Sequence, residues 1–184
     1  MAVYPIAVVH GRFQPLHVGH LEYLLAGKAA CAELIVGITN PDSDAVVEEP
    51  TQPGRHRPEA NPFTFYERQL MVDAALVGAG VPRSRFRIVP FPHSTPRLLR
   101  FYVPPDAVHL ITIYDAWGEE KLRRLTAEGL RCEVLWRRRK KVTSGTEIRR
   151  RMAGGEDWQD LVPAGVAAVL KGLSTTRNLR STHV

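Results

Sequence analysis

Ile6-Ala7-Val8-Val9 is a run with no polar residue in it, and a chain can cover such a run on both sides only in the middle of a layered structure. A strand in that position carries helices over both faces, as in a parallel sheet. The following residues agree. A loop holding Gly11 and Pro15 leads into a helix-like stretch from Val18 to Ala30. A second apolar run, Glu33 to Ile38, then completes a β-α-β unit of the usual ~30 residues.

The same alternation continues to the far end. Strands are predicted at Phe86 to Phe91, Val108 to Ile113 and Cys132 to Trp136. Helical stretches lie between and after them, at Thr64 to Gly80, Trp117 to Gly129 and Thr146 to Ala153. The pattern predicts an α/β fold with a parallel sheet. A last helix, Pro163 to Leu173, has its proline where a first turn tolerates one, and a polar tail (174–184) should follow it. At roughly 150 residues per domain, 184 residues predict one domain, placed at 1–173. Of fourteen prolines, eleven fall between Pro41 and Pro105, mostly in two long loops, Pro41 to Pro62 and Pro92 to Pro105. Loops of that length in a compact domain are functional or disordered. In open α/β sheets ligands sit beyond the carboxyl ends of the strands, where these loops begin.

Composition excludes some classes. No apolar stretch approaches the ~20 residues that cross a bilayer, and Met1-Ala2-Val3-Tyr4-Pro5 lacks the basic start and apolar run of a secretory signal. Cys31 and Cys132 form neither a metal-ligand pattern nor a disulfide framework, so a reducing cytoplasm is expected. Twenty-five Lys and Arg against nineteen Asp and Glu give +6, and only five of the twenty-five are Lys. Arg presents a planar fork of donors suited to phosphate and carboxylate. Such a charge could serve nucleic acid, a nucleotide or a small polyanion, or reflect genomic composition. Charge alone does not choose.

Two constellations carry chemistry. The first is Gly11-Arg12-Phe13-Gln14-Pro15-Leu16-His17-Val18-Gly19-His20, between the first strand and the first helix. His17 and His20, three apart, share one face of the first turn. Gly19 lets a ligand approach the backbone, and the helix start offers free N–H groups and a positive dipole. With Arg12 this is a cradle for phosphates; the alternative is a turn whose histidines cap or pack. The second is Thr143-Ser144-Gly145-Thr146-Glu147-Ile148-Arg149, after the last strand and opening another helix. A capping box, Ser144 with Glu147, explains part of it. Hydroxyls and a glycine at a helix start, with Arg149 near, also make a second anion site. Arg149, Arg150 and Arg151 cannot all face one way; one is expected to face the site and the others solvent.

Together, G-R-F-Q-P-x-H-x-G-H and S-x-T-E-I-R-R-R-M resemble the archaeal-type nicotinamide mononucleotide adenylyltransferases of the H-x-G-H nucleotidyltransferase superfamily. Asn61-Pro62-Phe63-Thr64 with Glu67-Arg68, and Gly154 through Pro163, extend the likeness from about Val8 to Leu173. The resemblance implies a Rossmann-like single domain with a parallel sheet of about five strands and helices on both faces. It implies nucleotidyl transfer: an acceptor oxyanion attacks the α-phosphorus of a nucleoside triphosphate in line and pyrophosphate leaves with Mg2+. Catalysis is then positioning and charge stabilisation. His17 and His20 would hold the transferred phosphate and the leaving pyrophosphate. Arg149 with Ser144, Gly145 and Thr146 would bind the β- and γ-phosphates, and Arg12 would bridge donor and acceptor phosphates. Gly11, Phe13 and Gly19 complete the nucleotide site. The metal would be held by phosphate oxygens and water, since no carboxylate cluster accompanies either motif.

The departures concern the acceptor. Where the family carries an Asn and a stacking Trp, this chain reads Pro92-His93-Ser94-Thr95-Pro96-Arg97-Leu98-Leu99-Arg100, and T-x-N after the fourth strand becomes Ile113-Tyr114-Asp115-Ala116-Trp117. The loop from Pro41 to Ala60 is longer and adds Arg55, His56 and Arg57. An apolar slot has been exchanged for positive charge, which predicts a smaller, more anionic acceptor than nicotinamide mononucleotide, held by Arg97, Arg100, His93 and Tyr114. Trp117 stacks on a base or, more often for a Trp opening a helix, packs. Superfamily members with small anionic acceptors attach CMP to phosphonates in bacterial natural-product pathways, and a CTP:phosphonate (phosphonoformate-like) cytidylyltransferase is the favoured reading. Nicotinamide mononucleotide adenylyltransferase is the alternative. From another class, the run Arg137 to Lys141 raises a non-catalytic nucleotide- or nucleic-acid-binding protein, although only Trp136 supplies the aromatic interleaving of a single-strand platform. The favoured reading carries a homo-oligomer, with no nucleic acid and no membrane partner.

Overall fold

The computed structural model describes residues 3–42, 48, 54 and 56–181, with side chains to 174; Arg55 and most of the Pro41–Pro53 stretch lie outside the described residues. Five strands form one sheet: β1 (Tyr4–Gly11), β2 (Cys31–Thr39), β3 (Phe86–Phe91), β4 (Val108–Ile113) and β5 (Cys132–Arg137). The order is β3-β2-β1-β4-β5 and every pairing is parallel. Five α-helices connect or follow them: α1 (Val18–Ala30), α2 (Phe65–Gly78), α3 (Ala116–Ala127), α4 (Gly145–Gly154) and α5 (Ala164–Ser181). The single α/β domain read from the alternation is the observed architecture. One expectation is corrected: α5 continues to Ser181, so helical backbone runs through most of the segment expected as a tail. No glycine or proline follows Gly172 to stop it.

The two-residue period of the strands divides the core. Ala7 and Val9 pack on one face with Leu24, Met71, Leu76 and Val166, from α1, α2 and α5. Val8 packs on the other with Phe91, Leu99, Ile111 and Leu125, under α3 and the loop after β3. Both faces are therefore dry, which is why the central strands read as unbroken apolar runs. Chain order reverses beside β1, whose neighbours β2 and β4 lead to opposite sheet edges. A crevice opens beyond the carboxyl ends of β1 and β4 at such a switch point.

One buried charge fixes the rim of that crevice. Arg68 of α2 is fully buried, and its guanidinium donates to the carbonyls of Arg12 (3.1 Å), Thr39 (2.7 Å), Asn40 (2.8 Å) and Thr64 (3.2 Å). It thereby ties the ends of β1 and β2 to the start of α2. Phe13 and Asn40, in the two loops it holds, have left-handed backbone with φ of 51° and 49°. For non-glycine residues that conformation costs about 1–3 kcal/mol and persists only where surrounding structure imposes it. The start of α2 is itself closed by a full capping box, Thr64 with Glu67.

Candidate active site

Both motifs meet at the switch point. A cleft of about 230 Å³ is lined by Gly11, Arg12, Phe13, His17, Gly19 and His20 from the β1–α1 side and by Ser144, Gly145 and Thr146 from the start of α4. They are joined by backbone. Arg149 Nη1 donates to the Gln14 carbonyl and its Nη2 to Thr146 Oγ1 at 3.2 Å. A side chain at position 145 would collide with that same Gln14 carbonyl. Gly145 is thus the residue that lets the two loops touch. The Gln14 side chain is occupied elsewhere, pairing with both backbone groups of Phe63 at 2.7 and 3.0 Å. Arg12 reaches Asn61 Oδ1 at 3.4 Å, so the Asn61–Thr64 segment folds against the first motif.

His17 is the N-cap of α1. Its Nδ1 accepts from the His20 N–H at 3.2 Å, and the two rings stack with centroids 3.6 Å apart. Burial, with a smaller contribution from Lys141, lowers the His17 pKa to about 4. The ring is therefore neutral at pH 7, and with Nδ1 accepting, its proton resides on Nε2. His20 meets the buried Phe13 ring edge-on at 5.0 Å.

At the second motif, Ser144 Oγ accepts from the Glu147 N–H at 3.2 Å. Only this half of the expected capping box appears in the helix cap. The Glu147 carboxylate instead takes Arg150 at 2.9 Å and Arg151 at 2.8 Å. Arg149 is thereby set apart from its two neighbours: it does not itself line the cleft, and its guanidinium lies behind the lining, on the Gln14 carbonyl and Thr146. The basic run is similarly divided: Arg137 pairs with Glu119, Arg138 with Glu22 at 2.7 Å, and Lys141, which lines the cleft, with Asp115 at 3.0 Å.

The far part of the cleft is lined by His10, Thr39, His93, Tyr114, Trp117 and Lys121. Tyr114 Oη accepts from Trp136 Nε1 at 3.0 Å. A bulge between Ile111 and Thr112 shifts the β4–β5 register and pairs Thr112 with Trp136. His93 meets Trp117 edge-on at 5.6 Å. Of the four residues expected to bind the acceptor, His93 and Tyr114 line this part, and Arg97 and Arg100 do not. Both arginines are exposed on a 3-10 turn, Pro96–Phe101. With three residues per turn, positions 97 and 100 eclipse on one side, while Leu99 turns into the core. The cation at this end comes instead from α3, as Lys121. Lys121 and His10 were not singled out by the sequence reading, whereas Lys141 closes the basic run that it weighed. A polar residue closing the apolar run of β1 was the available signal for His10.

The sequence matches the family described as cytidylyltransferase-like over residues 8–151. The chain belongs to that family. It is 56% identical over 174 residues to the phosphonoformate cytidylyltransferase of Streptomyces viridochromogenes, covering 95% of each chain. It is 32% identical over 173 residues to the nicotinamide-nucleotide adenylyltransferase of Pyrococcus abyssi, covering 93% of this chain and 85% of the relative. In fold it is similar to the bifunctional NMN adenylyltransferase/ADP ribose pyrophosphatase of Francisella tularensis, with a TM-score of 0.65 at 21% identity, covering 86% of this chain and 45% of that longer one. A second structure of that name, complexed with AMP and a Mn ion, gives 0.62. The chain is a nucleotidyltransferase.

Proposed function

We propose that this nucleotidyltransferase moves CMP from CTP to a phosphonate oxygen of a small phosphonocarboxylate such as phosphonoformate. The observation that carries the reading is the 56% identity to a phosphonoformate cytidylyltransferase over 95% of both chains. The cleft supports it: Arg12, Lys121 and Lys141 line it together with four histidines, against one lining carboxylate, Asp115. Asp115 is already engaged by Lys141 and by the Gly118 N–H at 3.1 Å.

In the reaction, an anionic oxygen of the acceptor forms a bond to the α-phosphorus of CTP. The bond from that phosphorus to the oxygen bridging to the β-phosphate breaks, and its electron pair leaves on pyrophosphate. The acceptor already carries its negative charge, so no side chain must remove a proton first. The chain's contribution is to align two anions and to donate hydrogen bonds to oxygens that gain charge. His17 donates from Nε2 and His20 stacks beside it; Ser144, Gly145 and Thr146 present the N-terminal end of α4, and Arg149 locks that end to the first motif. Arg12 lies between the two anions.

Among the described residues no group of three or more His, Cys, Asp or Glu could hold a metal ion. Such a lining fits a Mg2+ that would be carried on the triphosphate oxygens rather than on side chains, and would supply charge neutralisation at the leaving group. We infer a cytoplasmic homo-oligomer that acts without a nucleic-acid partner. Free Cys31 and Cys132 support the first, and the exposed rings of Phe101 and Tyr102 offer surface for the second. Among the described residues no helix is long and apolar enough to cross a membrane.

Pyrophosphate release with each of four triphosphates, against phosphonoformate and nicotinamide mononucleotide, tests the assignment. CTP with phosphonoformate should be the productive pair. Dinucleotide formed from ATP and nicotinamide mononucleotide would overturn it, and no pyrophosphate with any pair would return the protein to the binding class.

A further inference from the structure

β1 closes on a histidine whose polar atoms the fold does not use. His10 is 3% exposed and lies on the α3 side of the sheet, flat against Phe91 with centroids 4.4 Å apart and planes 6° from parallel. Its main-chain N–H donates to Tyr23 Oη at 3.2 Å. The ring differs: neither Nδ1 nor Nε2 has a hydrogen-bonding partner among the described residues. A buried polar atom left so is unfavourable to the fold, and a Leu or Phe would fill the same place without that cost. His109 shares the condition but lies wholly inside the sheet. His10 lines the cleft. Its unused N–H is therefore available to a ligand.

The surroundings give the ligand's charge. Lys121, from the second turn of α3, and His93 line the same part of the cleft, and the field of each acts on His10. Burial is the larger influence, and together they hold His10 well below its ordinary pKa. The ring is neutral, with one N–H to donate. The lining carboxylate, Asp115, is turned to Lys141 and to the start of α3. The triphosphate cradle, Ser144–Thr146 with His17 and His20, occupies the other part of the cleft.

We propose that His10 and Lys121 form the subsite for the acceptor's second anionic group, the carboxylate that a phosphonocarboxylate bears beside its attacking phosphonate. The inference rests on the phosphonocarboxylate reading above and specifies which side chains select it. The carboxylate accepts the His10 N–H and lies against the Lys121 ammonium, a charge-assisted arrangement. Held there, the acceptor presents its phosphonate toward the α-phosphorus. The pair is a specificity determinant and takes no part in bond making.

His10→Phe and Lys121→Met test it, with CTP as donor. His10→Phe keeps the ring stack and removes two unpartnered polar atoms, so its melting temperature should equal or exceed that of the unaltered protein. Both variants should raise the KM for phosphonoformate tenfold or more and leave the KM for CTP within twofold. Methylphosphonate, which has the phosphonate and lacks the carboxylate, should inhibit all three proteins with Ki values within threefold of one another. An unchanged phosphonoformate KM in both variants overturns the subsite. So does a parallel loss of phosphonoformate, methylphosphonate and CTP binding, which marks a structural effect. Failure of the unaltered protein to use phosphonoformate at all overturns the functional reading, and the subsite with it.

Discussion

Replacing Arg68 should loosen the cleft and the fold together. Arg68→Met keeps the apolar stem in α2 and deletes the guanidinium that meets the carbonyls of Arg12, Thr39, Asn40 and Thr64. Hydrogen bonds from a charged donor contribute about 1.5–3 kcal/mol each, so the four are worth roughly 6–12 kcal/mol gross. Against that stands the desolvation of a buried charge, several kcal/mol, which the variant no longer bears. Burial alone lowers the Arg68 pKa to about 10, so the group is still charged at neutral pH. The expected net loss is about 3–5 kcal/mol, as for other single-sided removals of a buried charge. With a urea m-value of roughly 2–3 kcal/mol/M for a domain of this size, the unfolding midpoint should fall by about 1–2 M.

Function should fail in the same variant, because Arg68 holds the Arg12 carbonyl and the left-handed Asn40. Once that hold is released, Asn40 can return to a relaxed backbone and Arg12 leaves its place over the cleft. kcat/KM for the triphosphate should drop about tenfold or more, the scale of a misplaced positioning group. Arg68→Lys retains charge without the planar fork and should recover less than half of the stability. Urea unfolding followed by tryptophan fluorescence gives the midpoints. A shift below about 0.4 M, under 1 kcal/mol, would refute the argument that this guanidinium clamps the strand ends.

Other perturbations separate the residues by their work. His20→Ala should lower turnover by ~10²-fold or more without unfolding the protein, whereas His17→Ala should do the same and also lose about 1 kcal/mol of stability as an N-cap; pyrophosphate release and thermal melts report both. Gly145→Ala drives a methyl group into the Gln14 carbonyl, and should abolish pyrophosphate release and lower Tm by several degrees. Stability should fall as the pH drops from 6.5 toward 4. His17 and His109 have folded pKa values of about 4 and His10 lies well below its ordinary value, all chiefly through burial, so across this window the unfolded chain binds more protons than the native one. Unfolding near pH 5.5 should take up about three protons at these sites, read from the pH dependence of urea midpoints; a flat profile would contradict their burial as neutral rings. Arg97→Ala and Arg100→Ala should leave both substrate KM values within about twofold, since exposed arginines contribute little; a raised acceptor KM in either would return them to the site.

The strands were legible because burial on both faces leaves no polar residue in Ala7–Val9 or Leu34–Val36. Their ends were not, since backbone pairing continues past the apolar run: Tyr4 pairs with Cys31 and Gly11 with Ile38. α5 was read short for the same reason. Polarity marks where packing ends, and a helix ends only where something interrupts its hydrogen bonds. Both glycine-containing motifs were legible because their residues are consecutive and attached to a strand end, so sequence order is spatial order. The far end of the cleft is assembled from separate elements, His10 on β1, His93 after β3 and Lys121 on α3. Their convergence depends on which side of the sheet each element covers. Arg97 and Arg100 were read toward the site as though the segment were free to turn there. The 3-10 turn that buries Leu99 commits them to the opposite side.

The arginine excess has a related explanation. Glu120 pairs with Arg123 at 2.8 Å and Arg124 at 2.7 Å, Glu147 with Arg150 and Arg151, and Glu22 with Arg138. Hydrogen bonds from these arginines lower the Glu120 and Glu147 carboxyls to about 2. Exposed pairs of this kind add little stability. Their consequence is spatial: they hold carboxylates on the outer surface, ionised and engaged, while Arg12, Lys121 and Lys141 face the cleft with Asp115 as its one lining acid. That distribution suits the proposed chemistry. A triphosphate and a phosphonocarboxylate repel each other, and two unit charges 4 Å apart already cost about 4 kcal/mol at an effective dielectric constant near 20. A cleft that joins such anions must supply positive charge on both sides of the reacting phosphorus. The first motif and α4 supply it on the donor side. On the acceptor side, in the subsite proposed above, it would come from Lys121, with His10 contributing a donor that stays uncharged and so adds no repulsion to the lysine beside it.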